Sequence, residues 1–160
     1  MGLLDQIIQT ASSAINSYNC PSVEDVKNYI RRNVKVSKSQ YREEKTVENI
    51  IAKQLKEKYG ATNVHQQYSV GGFLGLKCDI DLFDGKSCGI ELKLAKQLSE
   101  GSAAAKERLI GQAVYYSRRC YKGKLIVLVV GTKSEYDSTI KEVRNFLEEF
   151  GVHFMYKELV

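Results

Sequence analysis

The chain has 160 residues, of which 43% are hydrophobic and 27% charged, as is typical of one globular domain with a sizeable core. No apolar run approaches the roughly 20 residues of a membrane-spanning helix, and the start lacks a signal-peptide pattern, so we expect a cytoplasmic protein with no membrane partner. The net charge of +5 permits a polyanionic partner but does not require one.

The first forty residues are predicted to form a helical extension. Apolar side chains at helical spacing predict an amphipathic helix over Leu3–Ile15 and a second helix that begins at the capping residue Ser22. The polar, basic stretch 35–42 follows and is the best candidate for a linker. We therefore predict two units, residues 1–40 and residues 41–160.

The rest of the chain alternates between strand and helix patterns. A helix is predicted over Glu43–Tyr59, where Gly60 ends it, and a strand over Val64–Val70. The later predictions, in chain order, are a hairpin around Asp84-Gly85, a mobile segment at 97–105, a helix over Ala103–Tyr121, a strand over Leu125–Val130, a helix over Ser138–Phe150 and a strand over Val152–Tyr156. This order predicts an α/β fold with a mixed central sheet of about five strands flanked by helices.

The hairpin concentrates the charged residues. A register through a three-residue loop or a bulge would bury one apolar face and gather the charged residues on the other. The apolar face comprises Ile80, Leu82, Ile90 and Leu92, and the charged face Asp79, Asp81, Glu91 and Lys93. Gly89 would leave room for an ion among these groups, and three carboxylates suit a hard cation such as Mg²⁺. The alternative is an ordinary cross-strand ion pair.

Asp81 and, after nine intervening residues, Glu91-Leu92-Lys93 resemble the motif of the PD-(D/E)XK nuclease superfamily. Ile80 stands where the motif name has Pro. The order of elements from Glu43 to Tyr156 is also similar to the restriction-endonuclease-like core of that superfamily. Residues 1–40 lie outside the resemblance and form the helical extension.

Two further motifs add to the resemblance. Gln112 and Tyr116 share one helical face and resemble the QxxxY motif of the RecB and lambda-exonuclease branch, in which Gln lies near the metal and Tyr supports DNA or the fold. The first core helix of the superfamily often supplies a metal-binding Glu. Glu44 and Glu48 are both candidates, and Glu48 fits the family pattern better because it lies closer to Gly60.

The resemblance implies a nuclease that uses Mg²⁺ or Mn²⁺ to hydrolyse DNA, with a role in DNA repair or recombination. The implied catalytic residues are Asp81, Glu91, Lys93, Gln112 and Glu48. The implied metal ligands are Asp81, Glu91, Asp79 and Glu48, with Asp81 as the principal aspartate because its spacing to Glu91 matches the lambda-exonuclease branch. The implied nucleic-acid contacts are Tyr116, Arg108, Arg118, Arg119 and Lys122.

Four questions stay open at the level of sequence. The same fold could serve as a non-catalytic DNA-binding or assembly module, because a fold does not guarantee an activity. The same site could also process RNA. Exonuclease or endonuclease action and homo-oligomer formation are not decided by these patterns.

Overall fold

In the computed structural model, which describes residues 2–7, 20–70 and 75–160, five strands form one mixed sheet with helices on both faces. The strands are β1 (Val64–Ser69), β2 (Lys77–Leu82), β3 (Cys88–Leu94), β4 (Leu125–Gly131) and β5 (His153–Glu158). The main helices are α1 (Val23–Asn33), α2 (Glu44–Tyr59), α3 (Ala95–Glu100), α4 (Ala103–Arg119) and α5 (Ser138–Glu149). The α/β class and the mixed five-stranded sheet are confirmed.

The strands follow each other across the sheet in chain order. β1, β2 and β3 form an antiparallel meander, whereas β3, β4 and β5 run parallel. Every residue of β4 is buried, as expected for a strand covered on both faces. The long crossovers through α4 and α5 are what parallel neighbours require, so the change from antiparallel to parallel falls at β3.

Two apolar clusters fill the space on either side of the sheet. The first core contains Val26 and Ile30 from α1 and Ile51 and Leu55 from α2. The second core is covered by α4 and α5, and its buried members include Leu109, Ala113, Ile140 and Leu147. None of the helices in the described ranges is long and apolar enough to cross a membrane.

The segment before α2 packs more closely than predicted. Val34 and Val36 are fully buried in the first core, and Val36 accepts a backbone hydrogen bond from Val160 at 3.0 Å. Lys38 donates to the carbonyl of Val160 at 3.2 Å. The expectation of a linker at 35–42 was therefore wrong, because contacts with the far end of the chain hold its first residues in place.

Three other predictions about local structure have different outcomes. Ser22 caps α1 in a reciprocal capping box with Asp25, as predicted. In the predicted helix Leu3–Ile15, residues 3–7 are helical, and the remainder lies outside the described residues. Most of the segment 97–105, which was predicted to be mobile, is helical, because α3 follows β3 directly and α4 begins at Ala103; α3 buries Leu98. A helix of six residues is too short to show a clear periodicity.

The hairpin adopts the predicted register. Ile80 pairs with Ile90, and Leu82 pairs with Cys88. The connection has five residues, 83–87, rather than three, because Phe83, Asp84 and Gly85 all have positive φ and leave the ladder. Three and five are both odd numbers, so either loop pairs the same faces of the two strands. The apolar side chains therefore still share the first core.

Candidate active site

The most polar part of the interior lies where β2 and β3 diverge. Their pairing stops at Ile80–Ile90, and Asp79 is the next residue outward. The Asp79 side chain replaces a backbone acceptor here, since its Oδ2 accepts a hydrogen bond from the backbone N–H of Leu92 at 2.8 Å. Regular alternation ends here too, because Cys78 packs in the second core although Ile80 packs in the first.

The neighbouring strand β1 is irregular at the same level. Gln67 has φ 50°, an uncommon conformation for a residue other than glycine. Its amide Nε2 donates to Glu48 Oε2 at 3.0 Å and to Asp79 Oδ1 at 3.1 Å. Gln67 thus joins a helix carboxylate to a strand carboxylate. Sequence reasoning missed this residue, because no pattern in β1 marks the position where the strand is distorted.

Helix α2 brings both of its candidate carboxylates to this place. Glu48 is only 2% exposed, and its Oε1 accepts hydrogen bonds from Lys45 at 2.8 Å and Gln66 at 2.9 Å. Glu44, one turn earlier, accepts from Lys93 Nζ at 2.9 Å. Glu48 is therefore linked to Asp79 through Gln67, whereas Glu44 is paired with the lysine of the motif.

Glu91 lies between the strands and helix α4. It is 3% exposed, and its Oε2 has no hydrogen-bond partner. Its Oε1 lies 3.4 Å from Gln112 Nε2 and 3.8 Å from Lys93 Nζ. Gln112 therefore lies beside Glu91, which agrees with the position that the resemblance implied for the glutamine of QxxxY.

Burial and crowded negative charge change the acidity of the site. Burial and the charge of Asp79 raise the pKa of Glu91 to about 8, while Lys93 opposes the shift. Burial also raises the pKa of Asp79, against the hydrogen bond from Leu92, which lowers it. Burial alone would lower the pKa of Lys93, but Glu44, Glu91 and Asp79 together raise it. The carboxylates therefore outweigh the ammonium, and the site has an excess of negative charge.

Asp81 lies elsewhere, contrary to the expectation that it is the aspartate beside Glu91. It pairs with Gly89 in the ladder, and its Oδ1 accepts the Tyr121 hydroxyl at 2.9 Å. The Tyr121 ring covers Gly89 so closely that an added Cβ would overlap it. The space over Gly89, where an ion was expected, is thus filled by the Tyr121 ring. Asp79, rather than Asp81, is the aspartate close enough to Glu91 to affect its pKa.

The predicted nucleic-acid residues separate into two groups. Tyr116 is 1% exposed and donates its hydroxyl to the Lys77 carbonyl at 3.1 Å, so it braces α4 against β2 and offers no surface to a nucleic acid. The four basic residues are exposed: Arg108, Arg118, Arg119 and Lys122. Among them, Arg118 places its guanidinium 5.7 Å from the centre of the Phe150 ring, towards α5.

The donor set at the strand divergence fits a magnesium-like ion in its chemistry. Asp79, Glu91 and Glu48 offer only carboxylate oxygens, and the buried Glu91 Oε2 is without a partner. These carboxylates are not drawn tightly together. Within the described residues, ligand atoms of three His, Cys, Asp or Glu residues come within 4.8 Å of one another only at His65, Asp81 and Asp84. Magnesium keeps several waters and needs only one or two protein carboxylates, so the looser set remains suitable.

No protein-family model, curated protein or solved structure matches this chain.

Proposed function

We propose that this protein is a metal-dependent nuclease that hydrolyses phosphodiester bonds in DNA. The observation that carries the proposal is the convergence of Asp79, Glu91 and Lys93 where β2 and β3 diverge, with the Glu91 Oε2 buried and unpartnered. These residues also satisfy the pattern of an aspartate on one strand and Glu-X-Lys on the next. The proposal therefore keeps the PD-(D/E)XK resemblance, but the aspartate of the motif is Asp79 instead of Asp81, two residues earlier on β2.

Asp79 and Glu91 would hold the metal, with Glu48 as a further or water-mediated ligand. A bound Mg²⁺ or Mn²⁺ would supply a Lewis acid that lowers the pKa of a coordinated water and stabilises the charge on the phosphorane. The burial and the crowded negative charge that raise the pKa of Glu91 suit a cation site, because a bound cation displaces the proton and stabilises the ionised carboxylate.

Lys93 would act as a cation rather than as a base. Its raised pKa keeps the ammonium protonated at neutral pH, so it can stabilise negative charge on the transferred phosphate. Gln112 would orient the site, since its amide reaches Glu91 Oε1 and also donates to the Tyr116 hydroxyl at 3.1 Å. Tyr116 in turn is anchored to β2, which connects the position of α4 to the carboxylates.

The direct test is cleavage of single-stranded, duplex and branched DNA, with RNA alongside, in Mg²⁺ and in EDTA. We expect magnesium-dependent cleavage of at least one DNA. Cleavage of RNA alone would favour an RNA-processing enzyme. DNA binding with no cleavage of any substrate would instead support the binding-module alternative.

The role of Lys93 in cleavage can be tested with Lys93→Ala. We expect a loss of cleavage of at least about 100-fold, as for other groups that stabilise a charged transition state. Folding should be retained, because partly exposed ion pairs contribute little stability. Lys27→Ala is the control, since Lys27 also pairs with a glutamate but lies on α1, which packs against β5. Normal cleavage by Lys93→Ala would remove Lys93 from the mechanism.

A further inference from the structure

A second group of ligand atoms lies one pleat away from the candidate active site. His65 on β1 is the ladder partner of Asp81 on β2, and Asp84 follows in the hairpin loop. Each residue offers one ligand atom, and these atoms all lie within 4.8 Å of one another. His65 Nε2 is 3.2 Å from Asp84 Oδ1.

The surrounding residues orient all three side chains. The Tyr121 hydroxyl donates to Asp81 Oδ1 at 2.9 Å, and the Tyr68 hydroxyl to Asp84 Oδ1 at 3.4 Å. The His65 ring stacks on Tyr68, with ring centroids 5.5 Å apart. Asp84 has φ 53°, a left-handed conformation that Asp tolerates better than most residues and that belongs to the turn after β2. Outer hydrogen bonds of this kind orient the ligands of metal sites.

Two buried polar atoms of this group have no hydrogen-bond partner. Asp81 is fully buried, and its Oδ2 makes no hydrogen bond. The Nε2 atom of His65 is also buried without a hydrogen bond of acceptable geometry. A buried carboxylate oxygen without a partner is costly, because folding removes its water and returns nothing. A cation between these atoms would satisfy both.

We propose that His65, Asp81 and Asp84 bind a divalent transition metal of the zinc class, at a site separate from Asp79 and Glu91. An imidazole nitrogen beside two carboxylates favours zinc or a similar ion over magnesium or calcium, which prefer oxygen ligands. Three protein ligands leave the fourth tetrahedral position for water. The ion would tie the hairpin loop to β1 and β2. This inference does not depend on the nuclease proposal.

The test uses Co²⁺ as a spectroscopic substitute and Zn²⁺ in titration calorimetry with the full chain. We expect a saturable site that the Asp79→Asn protein retains, with cobalt absorption bands typical of nitrogen and oxygen ligands. His65→Ala and Asp84→Asn should each weaken binding at least tenfold, and both side chains are exposed enough for the variants to fold. His153→Ala is the matched control, because His153 is the other of the two histidines in the chain and also lies beside a carboxylate. Its Nδ1 is 3.9 Å from Glu24 Oε1.

Several outcomes would overturn the proposal. They are the absence of saturable Co²⁺ or Zn²⁺ binding at millimolar metal, unchanged affinity in folded His65→Ala, and intense thiolate bands that assign the metal to a cysteine. Asp79→Asn separates the two sites: it should leave the Co²⁺ binding that depends on His65 unchanged even where it abolishes cleavage. Equal loss of Co²⁺ binding in Asp79→Asn and His65→Ala would mean a single shared site and would contradict the proposal.

Discussion

Asp79 and Asp81 are two residues apart on one strand, yet they lie in different electrostatic environments. The charged groups that act on Glu91 are Asp79, Lys93, Glu44 and Glu48. Those that act on Asp81 are His65 and Asp84, in addition to its hydrogen bond with Tyr121. The two aspartates therefore belong to separate groups of side chains, and each can be tested alone.

Asn substitutions at these positions should have opposite consequences. We expect Asp79→Asn to reduce magnesium-dependent cleavage at least about 100-fold, because Asp79 is the aspartate beside Glu91. Asp81→Asn should retain most of the cleavage and lose affinity for Co²⁺. Single-turnover cleavage rates and cobalt titrations of both variants measure the difference. An inactive Asp81→Asn protein beside an active Asp79→Asn protein would restore the assignment expected from sequence.

The pH dependence of stability should report Glu91. Its pKa is raised from 4.5 to about 8, so between these values the folded protein holds a proton that the unfolded chain releases. The stabilising contribution is complete below about pH 4.5 and is lost as pH rises towards 8, with a slope of up to about 1.4 kcal/mol per pH unit. Asp79 shifts in the same direction.

Urea denaturation in EDTA at several pH values between 5 and 8 measures this slope. Glu91→Gln cannot titrate and should flatten it, whereas Glu57→Gln, an exposed change on α2, should not. Magnesium should raise the melting temperature more at pH 8 than at pH 6, because protonation of Glu91 competes with the metal. A slope that is identical in Glu91→Gln and the wild type would show that Glu91 titrates normally.

At the scale of elements, the site depends on two local irregularities in the sheet. β2 and β3 separate beyond Ile80–Ile90, and at the same level the irregular backbone of β1 brings the Gln67 amide to Glu48 and Asp79. Together they let α2 from the first core and α4 from the second core approach the same carboxylates. Glu48 and Gln112 thus meet Asp79 and Glu91 from opposite faces of the sheet.

The contact between Gly89 and Tyr121 can be tested with a pair of glycine substitutions. Gly89→Ala should destabilise the fold by about 1–3 kcal/mol, because its Cβ would overlap the Tyr121 ring. At Gly111, an exposed position on α4, an added Cβ has nothing within 4 Å, so Gly111→Ala should stabilise the fold by about 0.5–1 kcal/mol. Denaturant titrations measure both. Wild-type stability in Gly89→Ala would mean that the ring moves away freely.

At the scale of the whole molecule, the charges are divided. The net charge is +5, yet the strand divergence collects four carboxylates. The positive charge that offsets them includes the exposed basic residues on and after α4. Phosphates approaching a bound metal would meet Lys93 at the site itself. We expect the exposed cations of α4 to contact further phosphates, that is, the nucleic-acid backbone rather than the bases.

Salt dependence should reveal these contacts. Binding of duplex DNA to the Lys93→Ala protein, which should leave the DNA intact, is expected to weaken linearly on a logarithmic salt scale. Adding Arg108→Ala should reduce the slope by about one, because one phosphate contact is lost. Adding Lys27→Ala, on the far side beside β5, should leave the slope unchanged. Equal slopes in all three proteins would place the DNA elsewhere.

The sequence by itself determined the class of each long element and the hairpin register. Periodic apolar residues are local signals, and they correctly predicted α2, α4, α5 and the all-buried β4. The register followed from burying Ile80 and Ile90 on one face. The stripe that contains Gln112 and Tyr116 was readable for the same reason, since helical spacing fixes which residues share a face.

Only the tertiary structure decided which aspartate accompanies Glu91 and what fills the space above Gly89. Alternation along a strand does not reveal where its ladder ends, because the divergence of β2 and β3 depends on the packing of helices from both cores. The hydrogen bond from Gln67 to Asp79, the Tyr121 ring over Gly89 and the hydrogen bond between Val36 and Val160 join residues far apart in sequence. Such contacts produce no periodic pattern in the sequence, so the position of the candidate site within the hairpin could be seen only in the folded chain.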